Sequence, residues 1–153
     1  MIDMTEKNDI EKEILKQLTL DSRQSYRDIA KKLDISHVSV SAKVKSLEEK
    51  GIIKGYTAVI DPNNMNYYPL CLRISAAQGG DLSKIGRRIS DYEDINVVMR
   101  VSGDCELLAL AMCSDRESAL RLLDEINSVP GVGKAESHIV LDALKMGGHR
   151  LKP

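Results

Sequence analysis

The sequence predicts an α+β chain in two parts. A winged helix-turn-helix spans residues 1–61, a linker 62–66, and a ferredoxin-like βαββαβ domain 67–153. Three observations predict it. The first fifty residues carry three apolar stripes at helical spacing, with a tight break between the last two. From Pro69 onward, strand-like and helix-like patterns follow one another in the order βαββαβ. Between the two halves, Asp61-Pro62-Asn63-Asn64 is turn chemistry.

The elements follow in order. Ile10, Ile14, Leu15 and Leu18 recur at helical spacing and predict a first amphipathic helix. Ser25 and Asp28 form a capping-box-like start to a second, with Tyr26, Ile29, Ala30 and Leu33 inward. Asp34 and Ile35 make the break. Ser36 reads as the N-cap of a third helix that buries Val40, Val44 and Leu47 and ends at Gly51. The β-branched run Ile52 to Ile60, with Lys54-Gly55 at its centre, predicts a short hairpin, the wing. In the second half, Leu70, Leu72, Ile74 and Ala76 share one face of a strand over 69–77. Asp81 caps a helix with Leu82, Ile85 and Ile89 inward. Strands are expected at 95–102 and 106–113; the latter is nearly all apolar and therefore central. Asp115 caps a helix burying Ala119, Leu122, Leu123 and Ile126. Pro130-Gly131 leads into a last strand carrying Ala135, Ile139, Leu141 and Ala143. With two helices on one face of the sheet, the other face needs a cover, most simply a second copy.

Composition narrows the function. The 153 residues are 42% apolar, enough for packed cores, but 3% aromatic with no Trp and no Phe. That removes the stacking platforms that single-strand and RNA readers use. The formal net charge is -1, yet Ser22–Lys54 holds eight cations against four anions. Such a patch sets an electrostatic footprint that the average hides. Three cysteines, Cys71, Cys105 and Cys113, lie within or beside predicted strands, match no zinc or redox spacing, and read as small buried hydrophobes. The three histidines form no ligand cluster, so no metal or other cofactor is expected. No apolar run reaches membrane-spanning length. The charged stretch Met1–Asp9 is not a signal peptide, and a reducing cytoplasm fits.

The third helix carries the chemistry. Opposite its buried stripe lie Val38, Ala42 and Lys45, flanked by Ser39, Ser41 and Ser46. A free surface helix favours long charged residues. Small ones let the backbone approach a groove floor, where Val38 and Ala42 can meet thymine methyls, the serines base edges or phosphates, and Lys45 guanine or phosphate. Ser36 and His37 stand at the start of this helix, and Arg27, Lys43 and Lys54 are the remaining expected DNA-contacting cations. The partner read from this face is double-stranded promoter DNA.

Together these residues resemble the Lrp/AsnC, or feast/famine, family of regulators over nearly the whole chain. The resemblance rests on Asn8-Asp9-Ile10 through Ile14-Leu15, Asp21-Ser22-Arg23, Asp28-Ile29-Ala30 and Ser36 through Val40. It continues with Leu47-Glu48-Glu49-Lys50-Gly51-Ile52-Ile53, Gly55-Tyr56, Asp61-Pro62, Gly103-Asp104-Cys105-Glu106 and Pro130-Gly131-Val132. It implies homodimers held by the C-terminal sheets and assembled into tetramers or octamers, partly palindromic operators, and a small effector, often an amino acid. It places that effector near Gly103, Asp104 and Glu106, where two carboxylates beside an apolar strand could hold an ammonium group. Three positions depart from the pattern: Lys43 stands for the usual Arg, Cys105 for an aromatic residue, and Asn66 for a frequent Gly. Siroheme decarboxylases resemble the same two-domain family but are enzymes with a His-rich segment before the third C-terminal strand. Here Met99 to Glu106 contains no His and offers only Arg100 for a porphyrin carboxylate. The reading is therefore a regulator without catalytic residues. A metabolite-binding oligomer that no longer reads DNA is the other alternative, and the small-residue face of the third helix argues against it.

Overall fold

The computed structural model describes residues 4–151. The first three residues of the charged N-terminal stretch and the last two of the expected second domain lie outside them. The chain divides into two compact units. Among the described residues, one comprises 4–60 and 145–151, the other 61–144.

The first unit is built on helices α1 (Met4–Leu20), α2 (Tyr26–Leu33) and α3 (His37–Glu49). Ile14, Leu18, Ile29, Ala30, Val40 and Val44 form its core, with Ile10, Leu33, Ile35 and Ile53 packed against it. Each fully buried Ile or Val here contributes about 1.5–3 kcal/mol of transfer free energy. Tyr26, expected inward, is 38% exposed instead, and Ile29 and Ala30 carry the buried face of α2. The break between α2 and α3 is tight because Asp34 adopts a left-handed conformation (φ 52°) and ends α2. Beyond α3, the Ile52 amide donates to the Leu47 carbonyl and the Gly51 amide to Glu48. This is the Schellman pairing that satisfies a helix's last carbonyls.

The expected hairpin over 52–60 does not form. Residues 54–60 hold no regular secondary structure and do not pair with one another. A two-residue hairpin turn needs positive φ, and Gly55 is not in that region. The Tyr56 hydroxyl instead donates to Glu48 at 2.8 Å, tying the segment to α3. A hairpin forms elsewhere in this unit: β5 (Lys145–Met146) pairs with β6 (His149–Arg150) around Gly147 and Gly148, at φ 51° and 86°. Residues 145–151, expected in the second domain, thus group with the helices.

The second unit holds β1 (Tyr68–Ala76), α4 (Leu82–Ile89), β2 (Ile95–Arg100), β3 (Leu107–Cys113), α5 (Arg116–Asn127) and β4 (Val132–Ile139). Its antiparallel sheet runs β2-β3-β1-β4, the ferredoxin-like arrangement. β3 is central, as its apolar run predicts. Leu70, Leu72, Ile74, Leu107, Ala109, Ala111 and Cys113 meet Ile85, Ile89, Ala119, Leu122 and Ile126 of the two helices in one core. The last strand is shorter than expected. Its pairing with β1 ends at Leu70–Ile139 and the Val140 amide bonded to Pro69, leaving Leu141 92% exposed. The linker residues have structure too: Pro62–Asn64 is a 3-10 turn, and Asn63 bonds Asp142 and Ala143. Asn66, the substitute for Gly, takes φ 53°, a region Asn tolerates.

Candidate nucleic-acid interface and effector turn

The α2–turn–α3 segment presents the face expected from the sequence. Val40, Val44 and Leu47 are buried, while Val38, across the helix, is 64% exposed, and Ser41, Ala42 and Lys45 are exposed beside it. His37 and Arg27 are exposed; Lys43 and Ser46 are half-buried. Two of the expected contact residues have work inside the helix. The Ser36 hydroxyl accepts from the Ser39 amide at 3.1 Å and lies 2.8 Å from the Ser39 hydroxyl. The Ser36 hydroxyl thus satisfies an amide of the first turn, and the Ser39 hydroxyl is bonded to that cap. Lys45 sits 3.9 Å from Glu49, with both side chains mostly exposed. Such a pair contributes less than about 1 kcal/mol, so the ammonium remains free to move to another anion. A Cβ on Gly51 would lie 2.8 Å from the Lys54 ammonium. Lys54 therefore folds back over the C-terminus of α3, where a cation favours the helix dipole. Sequence reasoning missed Tyr56: partial burial, then its bond to Glu48, pushes its phenol up to about 12.

The effector turn lies between β2 and β3. Gly103 adopts φ 115°, and a Cβ there would meet nothing within 4 Å. The space beside it is open, but the backbone conformation favours glycine. Asp104 is exposed and Glu106 is half-buried. Glu106 is a structural strap. Its Oε2 accepts the Ala76 amide at 2.7 Å, its own amide donates to Ile74, and its carbonyl accepts from Val101. The turn therefore does not offer two equivalent carboxylates. The Cys105 sulfur is the main influence raising the Arg73 guanidinium above its ordinary value, with Glu136 and Asp104 adding to it. Glu136 is held below the usual carboxylate range by Lys134 first, then by Arg73 and His138. Of the cysteines, Cys113 is buried, which with Asp94 and Asp115 nearby pushes its thiol to about 11 and leaves it inert. Cys71 and Cys105 are half-buried. Two clefts in the structure lie away from the turn. One runs along α1 and α2 past Gln17, Gln24 and Lys32; the other lies among Tyr92, Asp94, Ser118 and Arg121. No group of three His, Cys, Asp or Glu among the described residues could hold a metal ion, and no described helix is long and apolar enough to cross a membrane.

A helix-turn-helix unit followed by a ferredoxin-like sheet unit defines a two-domain class that includes regulators coupling a DNA reader to a ligand-binding domain. The comparisons specify which. Residues 70–149 match the Lrp/AsnC ligand binding domain, and residues 7–54 match the winged helix-turn-helix DNA-binding domain. An uncharacterized HTH-type transcriptional regulator of Pyrococcus abyssi (strain GE5 / Orsay) is 32% identical over 146 residues, covering 95% of this chain and 99% of that protein. The HTH-type transcriptional regulator LrpA of Pyrococcus horikoshii is 33% identical over 136 residues, covering 88% and 96%. Among solved structures, a feast or famine regulatory protein of M. tuberculosis complexed with L-methionine has the same fold. Its TM-score is 0.77 at 22% identity, over 90% of this chain and 94% of that one. The chain belongs to the Lrp/AsnC family of HTH transcriptional regulators.

Proposed function

We propose that this regulator binds double-stranded operator DNA sequence-specifically as a homo-oligomer, and that an amino acid sets its affinity. The observation that carries the DNA reading is the outer face of α3, small and exposed on a helix whose opposite face is locked into a core. Val38, Ser41, Ala42 and Lys45 read base edges in the major groove. His37, Lys43, Ser46 and Arg27 hold phosphates, while Ser36 and Ser39 fix the start of the helix and Lys54 its end. Two copies place two such helices on successive half-sites. The copies join through the sheet face that carries no helices, where Val97, Met99, Leu108, Leu110 and Met112 stand on adjacent strands. Dimers then assemble into tetramers or octamers.

The effector binds at the Gly103 turn. Asp104 takes the ammonium group, Arg73 takes the carboxylate, and the Gly103 backbone allows close approach. Glu106 holds the turn to β1. The open space beside Gly103 supports a site completed by a second copy. The L-methionine complex of the M. tuberculosis protein supports the amino-acid class. A protein working this way acts in the cytoplasm. The test is a gel shift on the protein's own upstream DNA across an amino-acid panel. One amino acid should shift DNA affinity and oligomer distribution together. A protein that binds an amino acid but no duplex would be a metabolite-binding oligomer, and the DNA reading would fail.

A further inference from the structure

We infer that the β5–β6 hairpin is a second phosphate-contacting element of the DNA-binding unit; the inference rests on the DNA-binding reading above. The hairpin is Lys145-Met146-Gly147-Gly148-His149-Arg150. Strands of two residues are not stable alone, so this one must be held by what it packs on. A Cβ on Gly147 would lie 2.5 Å from a Val59 methyl, and one on Gly148 would lie 3.8 Å from the Thr19 carbonyl. The glycine tip is thus seated against the helical unit, and Met146 is half-buried.

What the seated tip leaves outside is positive charge. Lys145 and Arg150 are direct cross-strand partners, Met146 pairs with His149, and Lys145, His149 and Arg150 are all exposed. Like charges placed directly opposite one another destabilise a ladder. The hairpin contains no acidic residue to offset them, and neither cation makes an ion pair among the described residues. A short element that breaks a local pairing rule while being anchored by its turn is suited to an anion presented from outside. The unit that carries it also carries α3 and the cations Arg27, Lys43 and Lys45, so the fitting anion is a DNA phosphate. The expected wing over 52–60 is unpaired, and this hairpin supplies the basic β-element that the unit otherwise lacks.

The test uses the full-length protein with two duplexes of equal length: one selected from random sequence by the wild type, and a scrambled one. Lys145→Gln and Arg150→Gln, singly and together, are compared with wild type and with Lys43→Gln. Unchanged thermal melts confirm that the variants fold. Each cation removed from a phosphate should shallow the log–log salt dependence by about 0.9. The change should be equal on both duplexes, because phosphates carry no sequence information. Lys145→Arg should keep the wild-type slope. If Lys43→Gln shifts the slope and the hairpin variants do not, the inference is overturned while the DNA reading stands. If the hairpin variants change sedimentation or amino-acid binding at an unchanged slope, it is overturned in favour of assembly or effector capture. A wild type that binds neither duplex overturns both.

Discussion

Ser36 caps its own helix. Its hydroxyl is committed to the Ser39 amide, so Ser36→Ala should destabilise the protein by about 1 kcal/mol, read as a lower urea midpoint at unchanged slope. Val38 has no such internal duty. Replacing thymine by uracil one position at a time in a selected half-site removes single methyl groups. If Val38 and Ala42 meet thymine methyls, wild-type affinity should fall about fourfold at one or two positions, from ~0.8 kcal/mol per methyl. Val38→Ser should erase the loss at its own position. A wild type indifferent to every uracil would show that the apolar face reads no thymine. At the other turn, Asp104→Ala should weaken amino-acid binding at unchanged stability. Glu106→Ala should lower both, because it leaves the Ala76 amide without its acceptor, a loss of about 1–3 kcal/mol. The sequence marked both carboxylates alike, since the bond that separates their roles spans thirty residues and arises from strand register. Which serines serve the cap was likewise visible only in part: the Ser36 N-cap followed from position, the Ser39 hydroxyl's share in it did not.

At the scale of elements, helices were legible where periodicity and caps agreed. Ser25, Ser36, Asp81 and Asp115 all cap the helices they were expected to open. The wing was not legible, because a β-branched run with a central glycine states strand propensity without stating a partner. Propensity of that kind reflects packing context more than backbone preference. The glycine pair at 147–148, with both residues at positive φ, makes the turn that Gly55 does not. What holds residues 54–60 near α3 is Tyr56 on Glu48, and this link has a pH signature. The phenol is raised in the folded protein to about 12 from an ordinary 10. A group raised on folding contributes stability that is full below its unfolded value and lost as pH passes the folded one. The stability difference between wild type and Tyr56→Phe should therefore be constant through neutral pH and vanish between about pH 10 and 12. Paired urea titrations measure it, and a difference that already decays near pH 8 would rule out the phenol as its source.

For the whole molecule, the decisive surface is the sheet face opposite α4 and α5. Strand alternation sends Leu107, Ala109, Ala111 and Cys113 into the core and Leu108, Leu110 and Met112 to the other side, where all three are half-buried. Register places Leu110 beside Val97 and Cys71, and Leu108 beside Met99 and Arg73. The β2–β3 half of this face is thus apolar. The β1–β4 half carries Arg73, Lys134, Glu136 and His138. Contiguous apolar surface rimmed by charge marks an association site. A two-fold copy covers such a face with its own equivalent. A charge at its centre would be buried unpaired in the assembly, where the cost is several kcal/mol per ion. Leu110→Asp should leave the helical content unchanged and convert the full-length protein to a monomer at micromolar concentration in sedimentation equilibrium. If specific binding uses two recognition helices at once, as proposed, its affinity for a two-half-site duplex should fall toward that for a single half-site. Leu120→Asp, at an exposed position on α5, serves as the control and should change neither. An oligomeric Leu110→Asp variant with full operator affinity would place the assembly surface somewhere other than this face.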